Sequence, residues 1–165
     1  MEHLLTHIPK NRYCQACQVA KLQKAPHRRI RDVTKAAPVF GDLVTADHII
    51  ALSDASMGVH EAHDALVVLD RGTRFMDCFP MKNKSAASTL RALREFLGDF
   101  VPKRIHTDGS GELKAAIAKL GTLHTTSGPY RPQANGVAER TVRTVAEGAR
   151  TLLYAAGLPP AFWTY

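Results

Sequence analysis

Residues 104–143 read RIHTDGSGELKAAIAKLGTLHTTSGPYRPQANGVAERTVR, and the fold turns on how they are read. A short run from Arg104 to Thr107 predicts a strand that delivers Asp108 into a glycine-rich break. A brief helical pattern follows over Glu112 to Leu120, then a second strand-like run from Thr122 to Ser127. Pro129, Pro132 and Gly136 punctuate a loop, Gly128 to Asn135, and Asn135 is placed to cap a long helix, Gly136 to Ala156, with Glu139 in its first turn. Asp108 and Glu139 thus stand at element ends with 30 residues between them. Such carboxylates suit a divalent cation, because Mg²⁺ takes hard oxygen ligands in octahedral geometry and keeps several waters. Either half alone also fits an ordinary strand and helix with a surface acid.

Upstream, Leu43 to Ile50 (LVTADHII) predicts a buried strand interrupted by Asp47. A carboxylate there is costly to bury alone, so it should coordinate a cation, accept hydrogen bonds or face a functional surface. Asp42, behind Gly41 at the strand's entrance, is the rival and needs no more than a turn role. Ala65 to Asp70 and Arg74 to Met81 predict two further strands around an Arg71-Gly72 turn, with Asp70 structural. Ser85 is placed to cap a helix, Ser85 to Phe100, whose stripe of Ala87, Leu90, Leu93, Leu97 and Phe100 faces a sheet. His60 and His63 are three apart, not the four of a helical metal pair, and read as solvated loop histidines.

His3, His7, Cys14 and Cys17 open the chain as H-x3-H-x6-C-x2-C. Four nitrogen and sulfur donors are the complement of a closed tetrahedral zinc site, and so little sequence would draw much of its folding energy from the metal. The alternative is buried or redox-active cysteines beside solvated histidines. Three cysteines argue against a disulfide framework and for a reduced compartment. Net charge is +7, but residues 1–39 hold eight Lys or Arg against Glu2 and Asp32 while the remainder is close to neutral. Such a basic arm suits a polyanion or a solvated linker, with Lys21, Lys24, Arg28, Arg29 and Arg31 as phosphate contacts in the first case. No apolar run is long enough to span a bilayer, and the N-terminus lacks the apolar core of a signal peptide, so a cytosolic or nuclear protein is expected.

The runs HTDGSGE (106–112) and PYRPQANGVAER (129–140) resemble the catalytic core of retroviral and long-terminal-repeat retrotransposon integrases, and the likeness extends from His3 to Trp163. That family carries Asp, Asp and Glu on a ribonuclease H-like α/β fold. The resemblance therefore implies a five-stranded mixed sheet flanked by helices, with Asp47, Asp108 and Glu139 as catalytic ligands of two Mg²⁺ or Mn²⁺ ions. It implies DNA 3′-end processing and strand transfer on element ends and target DNA, by a homo-oligomer acting in the nucleus. Tyr130, Arg131, Gln133, Asn135 and Arg143 are the implied DNA contacts, the last sharing a helix face with Glu139, whereas Arg140 points elsewhere. THIPKNRYCQACQVAK (6–21) resembles the end of the family's His-His-Cys-Cys zinc module, though the gap between its pairs is much shorter than usual. Either the knuckle is compact or the histidines lie upstream. The expected organisation is a zinc-binding arm (1–20), a basic linker (21–39) and a C-terminally truncated core (40–165). Asp108 lacks the Asn-Gly that commonly follows it, and its distance to Glu139 is short by roughly one helical turn. A two-metal nuclease, a cut-and-paste transposase and an inactive or domesticated DNA-binding fragment remain alternatives.

Overall fold

The computed structural model describes residue 3 and residues 6–20, 39–51, 56–126 and 132–165, with side chains from residue 136 onward in the last stretch. The basic linker therefore lies outside the described residues. Five strands form one sheet in the order β3-β2-β1-β4-β5: β1 Val44–Ile50, β2 Asp64–Asp70, β3 Met76–Met81, β4 Arg104–Thr107 and β5 Leu123–Thr126. β1, β2 and β3 run antiparallel, whereas β4 is parallel to β1 and β5 parallel to β4. This is the mixed, helix-flanked sheet of a ribonuclease H-like fold. Helices α1 Gln15–Ala20, α2 Ala86–Leu97, α3 Gly111–Leu120 and α4 Pro132–Ala156 accompany it.

Because strand side chains alternate, β1 serves two layers at once. Val44 and Ala46 join the core that α2 and α3 close with Leu93, Leu97, Leu113 and Ile117. His48, on the same side, reaches Thr89 of α2 at 3.2 Å. Thr45, Asp47 and Ile49 face the other way, toward α4, which packs on β1 and β2. β2 is buried along its full length, so the strand beside β1 is covered on both faces.

Ser85 caps α2 as expected, its side chain accepting from the Ser88 N–H, and Gly98 ends the helix at φ 58°, a backbone region open to glycine. The buried face is Thr89, Ala92, Leu93, Phe96 and Leu97, so the predicted stripe is rotated: Ala87 and Phe100 are exposed. Phe100 lies past the helix end and packs on Phe40, ring centroids 5.4 Å apart. β3 starts two residues late because Arg74 still belongs to the turn, at φ 70° with its N–H on the Asp70 carbonyl. α4 starts early, at Pro132, where proline suits a first turn whose N–H groups have no helical acceptor. Asn135 is therefore inside the helix and does not cap it. The closing segment AFWTY, which reads as a further helix, is a short 3-10 turn, Pro160–Thr164, held by Trp163 Nε1 on the Ser56 carbonyl at 3.0 Å.

Asp70 is fully buried and its carboxylate accepts from Gly41 N–H (2.8 Å), Thr73 N–H (2.6 Å) and the Thr73 hydroxyl (2.7 Å). It ties the entrance of β1 to the β2–β3 turn. Asp70→Ala leaves buried donors without an acceptor and is expected to lower unfolding free energy by about 2–4 kcal/mol in urea titration. A loss below about 0.5 kcal/mol, the range of ordinary surface changes, would show that the tie is dispensable.

Candidate functional site

The parallel register sets the acidic residues. Val44 pairs with Ile105 and Thr45 with His106; two residues on from that second pair stand Asp47, within β1, and Asp108, just past the end of β4. Neighbouring strands lie about 4.8 Å apart and matched positions share a face, so both carboxylates project to the α4 side. Glu139 is in the second turn of α4, on an exposed position. Burial, and then the charges of Asp108 and Glu139, push the Asp47 carboxyl up from its ordinary value; the His48 N–H, which donates to Asp47 Oδ1 at 2.8 Å, and Lys84 work in the opposite direction. Residues 47, 108 and 139 thus share one electrostatic neighbourhood at the C-terminal end of β4, beside the middle of β1. Glu112 sits in the first turn of α3, its carboxylate 3.9 Å from Lys84 Nζ.

The loop after β4 is fixed by its own backbone. Gly109 has φ 85°, and a side chain there would meet Thr126 at 3.1 Å. Asp108 Oδ1 accepts the Ser110 N–H at 3.0 Å.

A second cluster joins His3, His7, Cys14 and Cys17, whose ligand atoms lie within 4.8 Å of one another. It is the one such group of three or more metal-ligating side chains found among the described residues. The short gap between the pairs is therefore enough, and both histidines come from within this chain. The His7 N–H bonds the His3 carbonyl at 2.7 Å, closing one turn, before His7 swings out at φ 53° to aim Nδ1 at the cysteines. His7 Nδ1 is 3.4 Å from Cys14 Sγ and 3.7 Å from Cys17 Sγ, and His3 Nε2 is 3.5 Å from Cys17 Sγ. A tetrahedral zinc with ordinary bond lengths would set N···S edges of about 3.5–3.6 Å, so the donor set fits that ion. The Cys17 backbone N–H, followed by the His3 ring, holds the Cys14 thiol down at about 6. The cluster sits on α1, which packs against α4.

Of the sequence-predicted DNA contacts, Tyr130 and Arg131 lie outside the described residues, and Gln133 and Asn135 are described only as helical backbone. Arg143 is exposed on α4. Arg140, ranked below it in sequence, has company: partial burial, then the charges of Arg74, Arg104 and Arg140, push Arg71 downward, which groups four guanidiniums. Only strand register carries that signal, since Arg71 and Arg104 each follow or precede a partner of Val44.

Comparison with known proteins bears on this arrangement. No family model matches the chain. The Pol polyprotein of transposon RE2 from Arabidopsis thaliana is 27% identical over 159 residues, which is 92% of this chain and 10% of that protein. The RE1 counterpart from the same plant is 33% identical over 107 residues, covering 61% and 7%. The Pro-Pol polyprotein of simian foamy virus type 3 is 38% identical over 80 residues, covering 46% and 7%. The chain is thus similar to short segments of retrotransposon and retroviral Pol polyproteins. It spans about a tenth of the length of these relatives or less. Among solved structures, the catalytic core of BIV integrase aligns at 16% identity with a TM-score of 0.48, over 73% of this chain and 81% of that one.

The two environments of the thiols give a direct test of the His/Cys geometry. Without metal, iodoacetamide labelling of Cys14 is expected to reach half its plateau near pH 6. Cys78, pushed up to about 11 by burial and by Asp77, should label slowly at neutral pH. Added zinc should suppress Cys14 labelling, read peptide by peptide in a mass spectrometer. A Cys14 midpoint at the ordinary thiol value, about 8.5, would contradict the arrangement described.

Proposed function

We propose that this Pol-related chain is a retrotransposon integrase core that carries out metal-dependent 3′-end processing and strand transfer on DNA, with Asp47, Asp108 and Glu139 as its catalytic carboxylates. The observation that carries the reading is the repulsion felt by Asp47 from both other acids, contributed by three different elements. Carboxylates crowded at a strand end without a matching set of cations cost stability, and divalent ions offset that cost. Bound there, two Mg²⁺ or Mn²⁺ ions would lower the pKa of an attacking water or 3′-hydroxyl and stabilise the leaving 3′-oxygen.

The chain's own part is to aim. β1 and β4 deliver two oxygens from rigid, paired strands, and α4 brings the third from a helix packed on β1. Arg143, one turn beyond Glu139, and the Arg71, Arg74, Arg104 and Arg140 group supply positive charge for DNA phosphates, fixing register without reading sequence. Tyr130, Arg131, Gln133 and Asn135, between β5 and Glu139, would contact the DNA end. His3, His7, Cys14 and Cys17 would hold a structural zinc, steadying an arm too small to fold on a core of its own. Integration joins two element ends to one target, which calls for a homo-oligomer on DNA acting in the nucleus. No helix among the described residues is long and apolar enough to cross a membrane.

Asp108→Asn is expected to cut Mn²⁺-dependent strand transfer by at least about a hundredfold, the scale of losing one aligned polar group in a catalytic site. Strand transfer at the wild-type rate in that variant would end the assignment. Products that are cut but never joined, from the wild-type chain, would favour a nuclease. Asp47 supplies an independent test without turnover. Its folded-state pKa lies above the ordinary value, so the ionised form is disfavoured by folding and the penalty is present above that raised pKa. Metal-free Asp47→Asn should therefore melt higher than wild type at neutral pH. The gap should close as pH falls through the raised pKa toward about 4, the unfolded value. A variant that melts lower than wild type throughout would show Asp47 to be structural.

A further inference from the structure

Asp108 is followed by Gly109-Ser110-Gly111, so no neighbouring side-chain amide is available to orient it. The residue behind it does have a partner. Thr107 points to the opposite face of β4, is fully buried, and its hydroxyl lies 2.9 Å from His124 Nε2 on β5. The same hydroxyl accepts the Gly109 N–H at 3.2 Å. A threonine hydroxyl has one proton to give and lone pairs to receive with. Burial, and then Lys114 and His106, lower the pKa of His124, which favours a neutral ring, and in the tautomer with its proton on Nδ1 the ring's Nε2 accepts from the Thr107 hydroxyl. The bonds then run in one direction: Gly109 N–H to Thr107 Oγ1, and Thr107 O–H to His124 Nε2. They bridge the backbone on both sides of Asp108.

We propose that His124 is a positioning residue for Asp108, acting through the Thr107 hydroxyl to fix the short backbone segment from which the carboxylate projects. This rests on the reading of Asp108 as a metal ligand. β5 makes the arrangement rigid: Ile105 pairs with His124 and Thr107 with Thr126, so the imidazole and the hydroxyl meet diagonally on one face. Thr126 also lies against Gly109, where only a residue without a side chain fits at φ 85°. A bare strand-edge histidine that merely satisfied a buried hydroxyl would leave the Gly109 amide unconstrained. Here the same oxygen holds that amide, which is the next hinge after Asp108. Outer partners of this kind orient ligands, and their loss typically weakens metal binding by roughly ten- to a hundredfold.

The test measures Mn²⁺ affinity of the full chain by electron paramagnetic resonance, with thermal melting and zinc content followed in parallel. His124→Ala and Thr107→Val should weaken Mn²⁺ binding by roughly ten- to a hundredfold while zinc content holds. His124→Gln, whose amide oxygen can accept from Thr107, and Thr107→Ser should bind close to wild type. The rescue separates positioning from a general loss of packing. Should Thr107→Val fail to fold, the His124→Ala and His124→Gln pair still decides. Wild-type Mn²⁺ affinity in His124→Ala, with Asp108→Asn impaired, would overturn this inference and leave the proposed function intact. Equal weakening in His124→Gln and His124→Ala would also overturn it. Unimpaired Mn²⁺ binding in Asp108→Asn would instead remove the reading on which it stands.

Discussion

The parallel pairing of β4 beside β1 is the constraint on which the remainder depends. β1 is held on its other side by a long antiparallel ladder, Val44 opposite Asp70 through Ile50 opposite Asp64, and its register there is fixed by side chains buried on both faces. β4 contributes only four residues, and its pairing with β1 is correspondingly short. A slip of one residue would turn Ile105 out of the core and carry Asp108 to the far face. Ile105 is fully buried between α2 and α3, so the hydrophobic core enforces the register that sets the acids side by side. The placement of the acids is thus specified by an apolar side chain on the far side of the sheet.

α4 links the two polar clusters. It packs on β1 and β2 with one stretch and on α1 with another, so the carboxylate end of the sheet and the His/Cys group share a scaffold. Its buried threonines are satisfied internally, Thr141 on the Val137 carbonyl at 2.9 Å and Thr151 on the Glu147 carbonyl at 2.6 Å. They therefore need nothing from neighbouring elements. In α1, Ala16 and Cys17 are both buried although the helix has only six residues. So short a helix is marginal alone, and its order comes from that packing and from the four donors converging beside it.

Local chemistry was legible; meeting points were not. Ser85 as a cap and Asp70 as a turn acid each follow from a residue and its immediate neighbours, and both stand as read, whereas Gly98 ends α2 inside the span Ser85 to Phe100 that the pattern suggests. The His-x3-His and Cys-x2-Cys spacings fixed each pair, but only the left-handed turn at His7 shows that a short gap can close. Pro132 was read as a loop breaker, yet proline at the opening of a helix is compatible with it, and that ambiguity displaced the start of α4. The stripe on α2 holds at Leu90, Leu93 and Leu97 but not at Ala87 and Phe100, which fit the period and are exposed; Thr89, which the pattern passes over, is buried and bonded to His48. Arg140 and His124 could not be found locally at all. The partner of His124 is supplied by strand register, 17 residues away at Thr107, and that of Arg140 by the packing of α4 on the sheet.

Two buried or half-buried aspartates in neighbouring strands show how a supporting acid differs from one held for chemistry. Asp70 receives two N–H groups and a hydroxyl, and every contact joins parts of the fold that would otherwise separate. Asp47 receives one N–H, from the residue next to it in sequence, and faces two like charges. Hydrogen bonds to the ionised form stabilise an acid in place, whereas burial beside other acids destabilises it. A chain under no further demand would neutralise or exchange the second kind. In a core strand, opposite the buried Val67, that repulsion is what the proposed cations would relieve. Sites of this type store unfavourable electrostatics in the free protein and recover it on binding.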